Sequence, residues 1–286
     1  MKRLLRWIGR GLIGLVGLAV VAYVIVYFLS ERALNRTYAI PKASITIPTD
    51  PESIAEGRRL AIIRSCFKGC HGKDSEGIVM FDEPMIGRVV APNLSAAVRK
   101  YSDAELVNII RNGVRPDGRS MVIMPSEAFV GLNDQDLGRI LAFLKSLPES
   151  QGPGQSVSLG PLGRIGVALG QFNVVAELIA RTVPPPEATG EEAIRGRYLA
   201  RTICATCHAA SLRGDSNPDF TSPDLRIVAA YSPEQFAKLL RTGVALGDRK
   251  VGEMTEYTKD NRLQFTDAEI AALHRYLHAL PAPAEK

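Results

Sequence analysis

The chain has few of the residues that mark several common classes of protein. Its 286 residues include only four cysteines, four histidines and one tryptophan. So few cysteines exclude a small disulfide-rich scaffold. Residues 1–30 contain no acid, and four basic residues within 1–10 supply most of the net charge of +5. The remainder is nearly neutral and lacks the basic excess of nucleic-acid-binding proteins, so we expect no nucleic-acid partner.

The chain also has no clear alternation of apolar and polar residues, which would predict strands. Helix start signals are frequent instead. Four residues are placed to cap helices: Ser102, Thr189, Ser232 and Thr266. Ser102 and Thr266 are each followed three residues later by glutamate, which is the capping-box pattern. We therefore expect an all-α fold, with long loops between the helices.

Residues 11–29 form an uncharged apolar run of a length that can cross a bilayer. The basic residues before this run predict that the N-terminus stays in the cytoplasm. A cleaved signal peptide is the alternative, but it would need a shorter apolar core and a small-x-small cleavage site. The sequence after the run is Ser30-Glu31-Arg32-Ala33, which is a poor site. We therefore predict a single-pass anchor in the inner membrane, with residues 31–286 in the periplasm.

All four cysteines lie in two similar clusters. Cys204-Ala205-Thr206-Cys207-His208 is the CxxCH signature of covalent haem attachment. Two thiols at this spacing add to the two vinyl groups of one porphyrin, and the adjacent histidine reaches the iron. The cluster from Cys66 through Cys70 to His71 has the same form with one extra residue, CxxxCH. Two covalent haem c groups are predicted, with His71 and His208 as iron ligands.

Two other interpretations of paired cysteines are less well supported. A zinc site would need further cysteine or histidine ligands near each pair. The remaining histidines, His274 and His278, lie close to the C-terminus. A thioredoxin-like redox pair would need a βαβ context, and the sequence provides none.

The two clusters belong to an internal repeat. Gly57-Arg58-Arg59-Leu60-Ala61 precedes the first and Gly196-Arg197-Tyr198-Leu199-Ala200 the second. After each cluster the chain repeats a Pro-Asn-Leu or Pro-Asp-Leu turn, a Tyr-Ser pair, a Gly-Val pair, and a terminal segment ending in Leu-Pro. The predicted order is an anchor and cytoplasmic tip (1–30), a spacer (31–50), one domain (51–149), a connector (150–188) and a second domain (189–282). Residues 166–181 of the connector could form one short amphipathic helix.

Each repeat offers a methionine as the second iron ligand. Met124 and Met254 occupy equivalent positions, in what we expect to be the loop before the last helix of each domain. Methionine ligation is typical of cytochromes c and raises the reduction potential. Met121 is the competitor in the first domain, but valine occupies its repeat position. Arg119 and Arg249 are candidates to pair with haem propionates, or are solvated side chains.

With these motifs, each repeat resembles a class I cytochrome c. The pair of repeats is similar to the membrane-bound cytochrome c subunits that serve periplasmic alcohol and sugar dehydrogenases. Those subunits usually carry three haems, and this chain has motifs for two. The resemblance implies that the carbonyl groups of Pro92 and Pro223 hold His71 and His208. It departs from the family pattern at Asp224, which replaces the usual asparagine, and at the lengthened first haem motif.

The sequence therefore predicts a membrane-anchored dihaem cytochrome c that transfers single electrons in respiration. The expected partners are redox proteins of the periplasm or membrane: a dehydrogenase or quinol-oxidising donor, and an oxidase or soluble cytochrome acceptor. A free carrier and a fixed subunit of a larger complex both fit. The alternative is a dihaem enzyme, a peroxidase or a thiosulfate-type oxidoreductase, which would need one open iron. We assign no catalytic residue.

Overall fold

A computed structural model describes residues 2–216, 221–260 and 262–281. In these residues the chain is mainly helical, as expected. The helices are α1 (Lys2–Leu34), α2 (Pro51–Ile63), α3 (Leu94–Lys100), α4 (Asp103–Val107), α5 (Ser126–Phe129), α6 (Asp134–Ser146), α7 (Pro161–Ala168), α8 (Val175–Arg181), α9 (Glu191–Leu199), α10 (Ala205–His208), α11 (Pro233–Thr242), α12 (Glu253–Lys259) and α13 (Asp267–His278). Two π-helical turns, Asn108–Asn112 and Ala200–Cys204, extend α4 and α9, and a 3₁₀ helix spans Leu225–Ala230.

Three of the four expected caps are present. The side chains of Ser102, Ser232 and Thr266 each accept a hydrogen bond from the backbone amide three residues on, and each forms a complete capping box. The prediction for Thr189 is wrong. Helix α9 begins at Glu191, with Gly190 in the cap position and no side-chain cap. Gly190 has φ +85°, a left-handed conformation that glycine adopts without strain.

The apolar N-terminal segment forms one helix, α1, of 33 residues. Among the described residues it is the one helix long and apolar enough to cross a membrane. Most of its large apolar side chains are exposed, including Ile13 and Leu18 at 74% each. Helix α1 continues past residue 30 to Leu34, and the chain then runs in extended form to Asp50, the N-cap of α2.

The same helix pair forms the core of each half of the molecule. In the first half (Pro51–Ser146) α2 packs against α6, and in the second half (Glu191–His278) α9 packs against α13. A glycine lies where each pair touches. A Cβ atom on Gly57 would lie 1.9 Å from the Arg139 carbonyl oxygen, and one on Gly196 would lie 2.0 Å from the Ala272 carbonyl oxygen. Only glycine allows this close an approach of two helix backbones.

Short strands are present that the sequence did not indicate. Strands β1 (Ile78–Glu83), β2 (Gly87–Ala91) and β3 (Ser156–Leu159) form an antiparallel sheet in that order. Two two-residue ribbons, Asp215–Ser216 with Thr221–Ser222 and Val244–Ala245 with Arg249–Lys250, lie in the second half. Strand β2 buries three successive residues, Val89, Val90 and Ala91. Because both of its faces are covered, it has no apolar–polar alternation to reveal it.

The connector between the halves is ordered, but not as one helix. Residues 166–181 are divided between the end of α7 and α8. Helix α7 ends near Gly170, which has φ +68° and stops the helix in a left-handed residue. Strand β3 pairs with β2, so the connector is joined to the first half by backbone hydrogen bonds.

The two halves contact each other through equivalent positions. Arg59 on α2 makes a double salt bridge to Glu269 on α13, with both N–O distances 2.9 Å. Tyr198, the repeat counterpart of Arg59, donates a 2.6 Å hydrogen bond to Asp136, the counterpart of Glu269. The first helix of each half thus contacts the last helix of the other. This reciprocity indicates an approximate two-fold relation between the halves.

Candidate haem-attachment sites

The first cysteine cluster follows α2 as a tight non-helical turn. Ser65 and Lys68 have φ of 59° and 60°, which is unusual for residues with a side chain. The Cys70 amide donates to the Ser65 carbonyl oxygen at 2.9 Å and closes the turn. Gly69 lies against it, since a Cβ there would be 2.5 Å from the same oxygen. This turn accommodates the extra residue of CxxxCH.

The second cluster is helical throughout. A π-helical turn ends at Cys204 and passes directly into α10, which contains Cys207 and His208. The helix stops at Ala209, with φ 57°. Two residues between cysteines therefore allow a continuous helix, whereas three require the left-handed turn of the first cluster.

Both histidines have the same relation to a proline carbonyl despite this difference. The Nδ1 atom of His71 lies 2.9 Å from the Pro92 carbonyl oxygen, and that of His208 lies 2.8 Å from Pro223. A carbonyl oxygen can only accept, so Nδ1 must carry the proton. In the neutral ring Nε2 then has a free lone pair. Burial lowers the pKa of both histidines, which favours this neutral, metal-binding form.

In the first half, histidine, cysteine and methionine share one cavity. It is lined by Cys66, His71, Met124, Arg64 and six apolar residues, Leu94, Ile110, Phe129, Leu132, Ile140 and Leu144. Met121, the competing methionine, is more deeply buried than Met124 but does not line this cavity. Its sulfur atom instead accepts a hydrogen bond from the Gln155 side-chain amide at 3.6 Å. An imidazole and a thioether thus face the same apolar space.

In the second half, Met254 lies near the cysteine cluster but on a different element from the one expected. It belongs to helix α12, not to a loop. The Thr255 hydroxyl anchors this helix by a 2.7 Å hydrogen bond to the Gly243 carbonyl oxygen. Met254 packs against the core. The carboxylate of its neighbour Glu253 lies close enough to add to the increase in the pKa of Cys207 that burial causes.

The four thiols have the wrong electrostatics for a redox or nucleophilic pair. Burial raises the pKa of Cys66 and of Cys204 to about 12. It also raises the pKa of Cys70 and of Cys207. Reactive cysteines instead have a lowered pKa and a large thiolate fraction at neutral pH. The raised pKa values keep the thiols protonated at neutral pH, which does not favour disulfide exchange.

The two cysteine clusters lie next to each other across the contact between the halves. After burial, the largest influence that raises the pKa of Cys70 is Cys207 of the other cluster. Tyr257 of α12 is hydrogen-bonded to Ser65 of the first cluster, and both Cys207 and Cys70 lie close enough to raise its pKa. Cys70 and Cys207, one from each cluster, are therefore neighbours across the contact between the halves.

The arginines that the sequence suggested for haem propionates are occupied elsewhere. Arg119 is bound to Asp117, with an N–O distance of 2.6 Å, and Arg249 donates to the Leu246 carbonyl oxygen at 3.1 Å. The charged side chain in the wall of the first cavity is Arg64, which sequence reasoning missed. Its side chain is fully buried, and it donates to Thr202 of the second half at 3.2 Å. The sequence signal that could have identified Arg64 was its position two residues before Cys66.

Two attachment clusters, each with a proline-held histidine and a methionine nearby, define the class of protein. A profile of the family described as Cytochrome c matches residues 54–148 and 193–281. The chain belongs to the cytochrome c family.

Three curated proteins are similar to this chain over most of its length. The chain is 25% identical, over 90% of its length, to the fructose dehydrogenase cytochrome subunit of Gluconobacter japonicus. It is 24% identical, over 78% of its length, to the cytochrome c subunit of alcohol dehydrogenase (quinone) from Gluconacetobacter polyoxogenes and from Komagataeibacter europaeus. The chain spans only 60% and 54% of the length of these relatives.

The residues present fit covalent haem c, the cofactor of the family. In each half two thiols would provide the attachment points and a neutral imidazole would provide one iron ligand, and in the first half the Met124 thioether lines the same cavity as the imidazole. When bound, haem supplies reversible one-electron storage on iron. The chain would supply the ligands, and the apolar wall of the first cavity would exclude water from the group. The Pro92 and Pro223 carbonyl groups orient the imidazoles and raise their basicity.

Proposed function

We propose that this chain is a membrane-anchored dihaem cytochrome c that transfers single electrons, without catalysing a reaction of its own. Its domains are residues 51–149 and 189–282, of which Ala282 lies outside the described residues. Cys66 and Cys70 attach the first haem, and Cys204 and Cys207 the second. His71 with Met124, and His208 with Met254, are the proposed iron ligands, and Pro92 and Pro223 position the histidines.

The observation that carries this proposal is the shared geometry of the two histidines. Each has Nδ1 within 2.9 Å of a proline carbonyl oxygen, although one cluster is helical and the other is not. The extra residue of the first cluster would displace its histidine, but the left-handed turn of that cluster compensates for it. The same geometry between histidine and proline is therefore present at both sites. Met124 in the cavity with His71 supports a closed, six-coordinate iron at the first site.

Contact between the sites supports electron transfer between them. Cys207 lies close enough to Cys70, across the boundary between the halves, to add to the increase in its pKa that burial causes, and Tyr257 is close to both. The double salt bridge of Arg59 and Glu269 supports a fixed relation of the two halves. The two haems would then pass electrons in sequence from a donor to an acceptor.

The relatives suggest a dehydrogenase as the donor. They are named as cytochrome subunits of fructose and alcohol dehydrogenases. We propose that this chain is likewise a subunit of such a complex in the respiratory chain, passing electrons to a membrane or periplasmic acceptor. Purification in mild detergent tests this: a flavin- or quinone-containing dehydrogenase should remain bound to the tagged chain. A chain recovered alone, with haems intact, would support a free carrier.

Helix α1 supports the proposed location. Its apolar run is exposed, and four basic residues precede it. By the bias of basic residues toward the cytoplasm, the N-terminus lies inside and both haem domains lie in the periplasm. Protease added to spheroplasts should cleave the haem domains and spare a tag on the N-terminus.

Carbon monoxide titration of the reduced protein tests the electron-transfer function most directly. Haem is first counted by pyridine haemochrome, with two per chain expected. No binding of carbon monoxide would mean that both irons carry two protein ligands, as a carrier requires. One carbon monoxide per chain would mean an open iron and would overturn the carrier function in favour of a dihaem peroxidase or thiosulfate-type enzyme.

A further inference from the structure

The connector has a composition unlike that of an exposed protein surface. Residues 152–176 contain a single charged residue, Arg164. About a quarter to a third of a water-exposed surface is normally charged. Yet this segment lies on the outside of the molecule, as strand β3 and helix α7.

The one charge of this segment is neutralised against the anchor helix. The Arg164 guanidinium donates to Glu31 at 2.8 Å and to the Ser30 hydroxyl at 3.0 Å. Its central carbon lies 4.2 Å from the centroid of the Tyr27 ring. These three residues are at the outer end of α1, so α7 lies beside the last turns of the apolar run 11–29.

Large apolar side chains beside this contact are exposed. Leu162 and Leu169, at the two ends of α7, are 52% and 69% exposed. Met85 and Ile86, at the tip of the β1–β2 hairpin, are 54% and 49% exposed. The Leu162 amide donates to the Met85 carbonyl oxygen at 2.8 Å, which fixes the hairpin tip beside α7. We call these four residues the membrane-proximal patch.

The four patch residues carry no charge, and charged residues of the hairpin lie next to them. On the hairpin, Asp82 and Arg88 pair with each other at 3.0 Å, behind the tip. Glu83, the last residue of β1, is exposed and is two residues from Met85 in the sequence. Apolar side chains exposed together mark a surface that contacts something other than water.

We propose that the membrane-proximal patch inserts into the headgroup–acyl boundary of the bilayer that α1 crosses. The patch is continuous with the apolar surface of α1, because α7 packs directly on that helix. Amphipathic segments of this kind sit about 5–10 Å into the boundary. This inference rests on the proposed function, since it requires α1 to be a membrane anchor.

Insertion would have a functional consequence for electron transfer. The patch is built from α7 and from the β1–β2 hairpin, and the hairpin begins seven residues after His71. A second membrane contact would therefore hold the first haem site at a fixed height and orientation above the bilayer. If a flexible linker alone joined the first half to the anchor, neither the height nor the orientation of the haem site would be fixed.

Spin-label depth measurements on the full haem-loaded chain test the proposal. The natural cysteines are consumed by haem attachment, so one introduced cysteine is the only free thiol. Nitroxide labels are placed in separate Leu162→Cys, Leu169→Cys and Met85→Cys variants, in nanodiscs of phosphatidylethanolamine and phosphatidylglycerol. Leu18→Cys reports on the anchor. Ile194→Cys, at a residue of the second half that is 55% exposed, is the matched water-exposed control.

We expect the three patch labels to favour collision with oxygen over a water-soluble nickel complex, at a depth of about 5–10 Å. The Ile194 label should favour nickel, and an unchanged Soret spectrum would show that each variant is folded. If the patch labels match Ile194 while the Leu18 label is in lipid, the inference is wrong and the anchor stands. If the Leu18 label is also in water, the anchor itself is wrong.

A protein partner on the patch is a distinguishable outcome. In that case the labels would be exposed to nickel in nanodiscs of the isolated chain and protected only in the complex purified from membranes. That result would overturn insertion into lipid.

Discussion

Met124 and Met121 lie three residues apart in the first half, and their environments separate them. Both come from the same loop, but only Met124 lines the cavity that contains His71. Met121 is 6% exposed and contacts Gln155. Met124 is only partly buried, so burial alone would favour Met121, whereas the cavity identifies Met124 as the candidate ligand.

Replacing the proposed ligand should change the reduction potential without removing haem. We expect Met124→Ala and Met254→Ala each to lower the potential of one haem, because the thioether favours ferrous iron. The shift should be on the order of 0.1 V or more, within the ~0.8 V range that axial ligands span. A spectroelectrochemical titration measures it. Met121→Ala is the matched control, and an equal shift there, or none at Met124, would contradict the assignment.

The cysteines give a second prediction, specific to one half. Cys204→Ser should leave the second haem bound by one thioether or lost, and the first haem unaffected. The remaining vinyl group extends the conjugation of the porphyrin, so the pyridine haemochrome band should move to longer wavelength. Mass spectrometry of tryptic peptides identifies the affected site. Loss of haem from the Cys66–Cys70 peptide in this variant would show that the sites do not mature independently.

Among the secondary-structure elements, the crossing of the first and last helix in each half depends on one glycine. Helices α9 and α13 touch at Gly196, where a Cβ atom would lie 2.0 Å from the Ala272 carbonyl oxygen and 2.7 Å from the Tyr276 Cβ atom. The obstructing atom is backbone and cannot rotate away. Separation of the two helices is then the only relief, and it would expose core residues such as Leu273 and Leu277.

We therefore expect Gly196→Ala to destabilise the second half by about 2 kcal/mol or more, as overpacking does in well-packed cores. The measurement is thermal unfolding followed by circular dichroism at 222 nm. Gly154→Ala is the control, because nothing lies within 4 Å of its added Cβ atom. Equal midpoints for the two variants would show that α9 and α13 do not meet as closely as described.

The whole molecule is held together by the reciprocal contacts between the halves. Glu269 is buried, and the two oxygens of its carboxylate bind Arg59 of the other half. Burial alone would raise the pKa of Glu269. Hydrogen bonds from Arg59 and from the Thr266 amide outweigh burial, and the pKa lies below its ordinary value.

Because the pKa of Glu269 is lowered in the folded state, the free energy of unfolding should decrease in acid. The contribution of Glu269 is complete above its unfolded pKa of about 4.3 and is lost as the pH falls through the lower folded value. Glu269→Gln should reduce stability at pH 7 by about 2 kcal/mol, less than the 3–5 kcal/mol for a fully buried pair. The variant should also lose less stability than the natural chain between pH 5 and pH 3.

A surface pair provides the control for this prediction. Glu256 binds Lys259 at 2.6 Å, and both side chains are more than half exposed. Exposed pairs contribute about 0–1 kcal/mol, so Glu256→Gln should have little effect at pH 7. Similar losses in the two variants, measured by thermal unfolding, would contradict a special role for the contact between the halves.

Much of the arrangement follows from local sequence. The uncharged run 11–29 forms part of one helix, α1, and its length and apolar composition can be read from the sequence alone. The CxxCH spacing, the Pro-Asn-Leu turn and the caps at Ser102, Ser232 and Thr266 act over a few residues, so they can be recognised without a fold. The placement of His71 and His208 against Pro92 and Pro223 was likewise implied by the resemblance to class I cytochromes c.

Other features depend on contacts between distant residues. Strand β2 could not be recognised because its partner β3 comes from the connector, and the two together bury Val89 and Val90. Arg64 was missed and Arg119 was named instead, since ion pairs form with whichever carboxylate or hydroxyl the fold brings near. The contacts that join the halves also depend on which side chains the fold brings together. They are Arg59 with Glu269 and Tyr198 with Asp136. Spacing along the chain predicts the covalent attachment sites and the helix ends. The surfaces through which the two halves meet, and the proposed membrane-proximal patch, arise only when distant segments pack together.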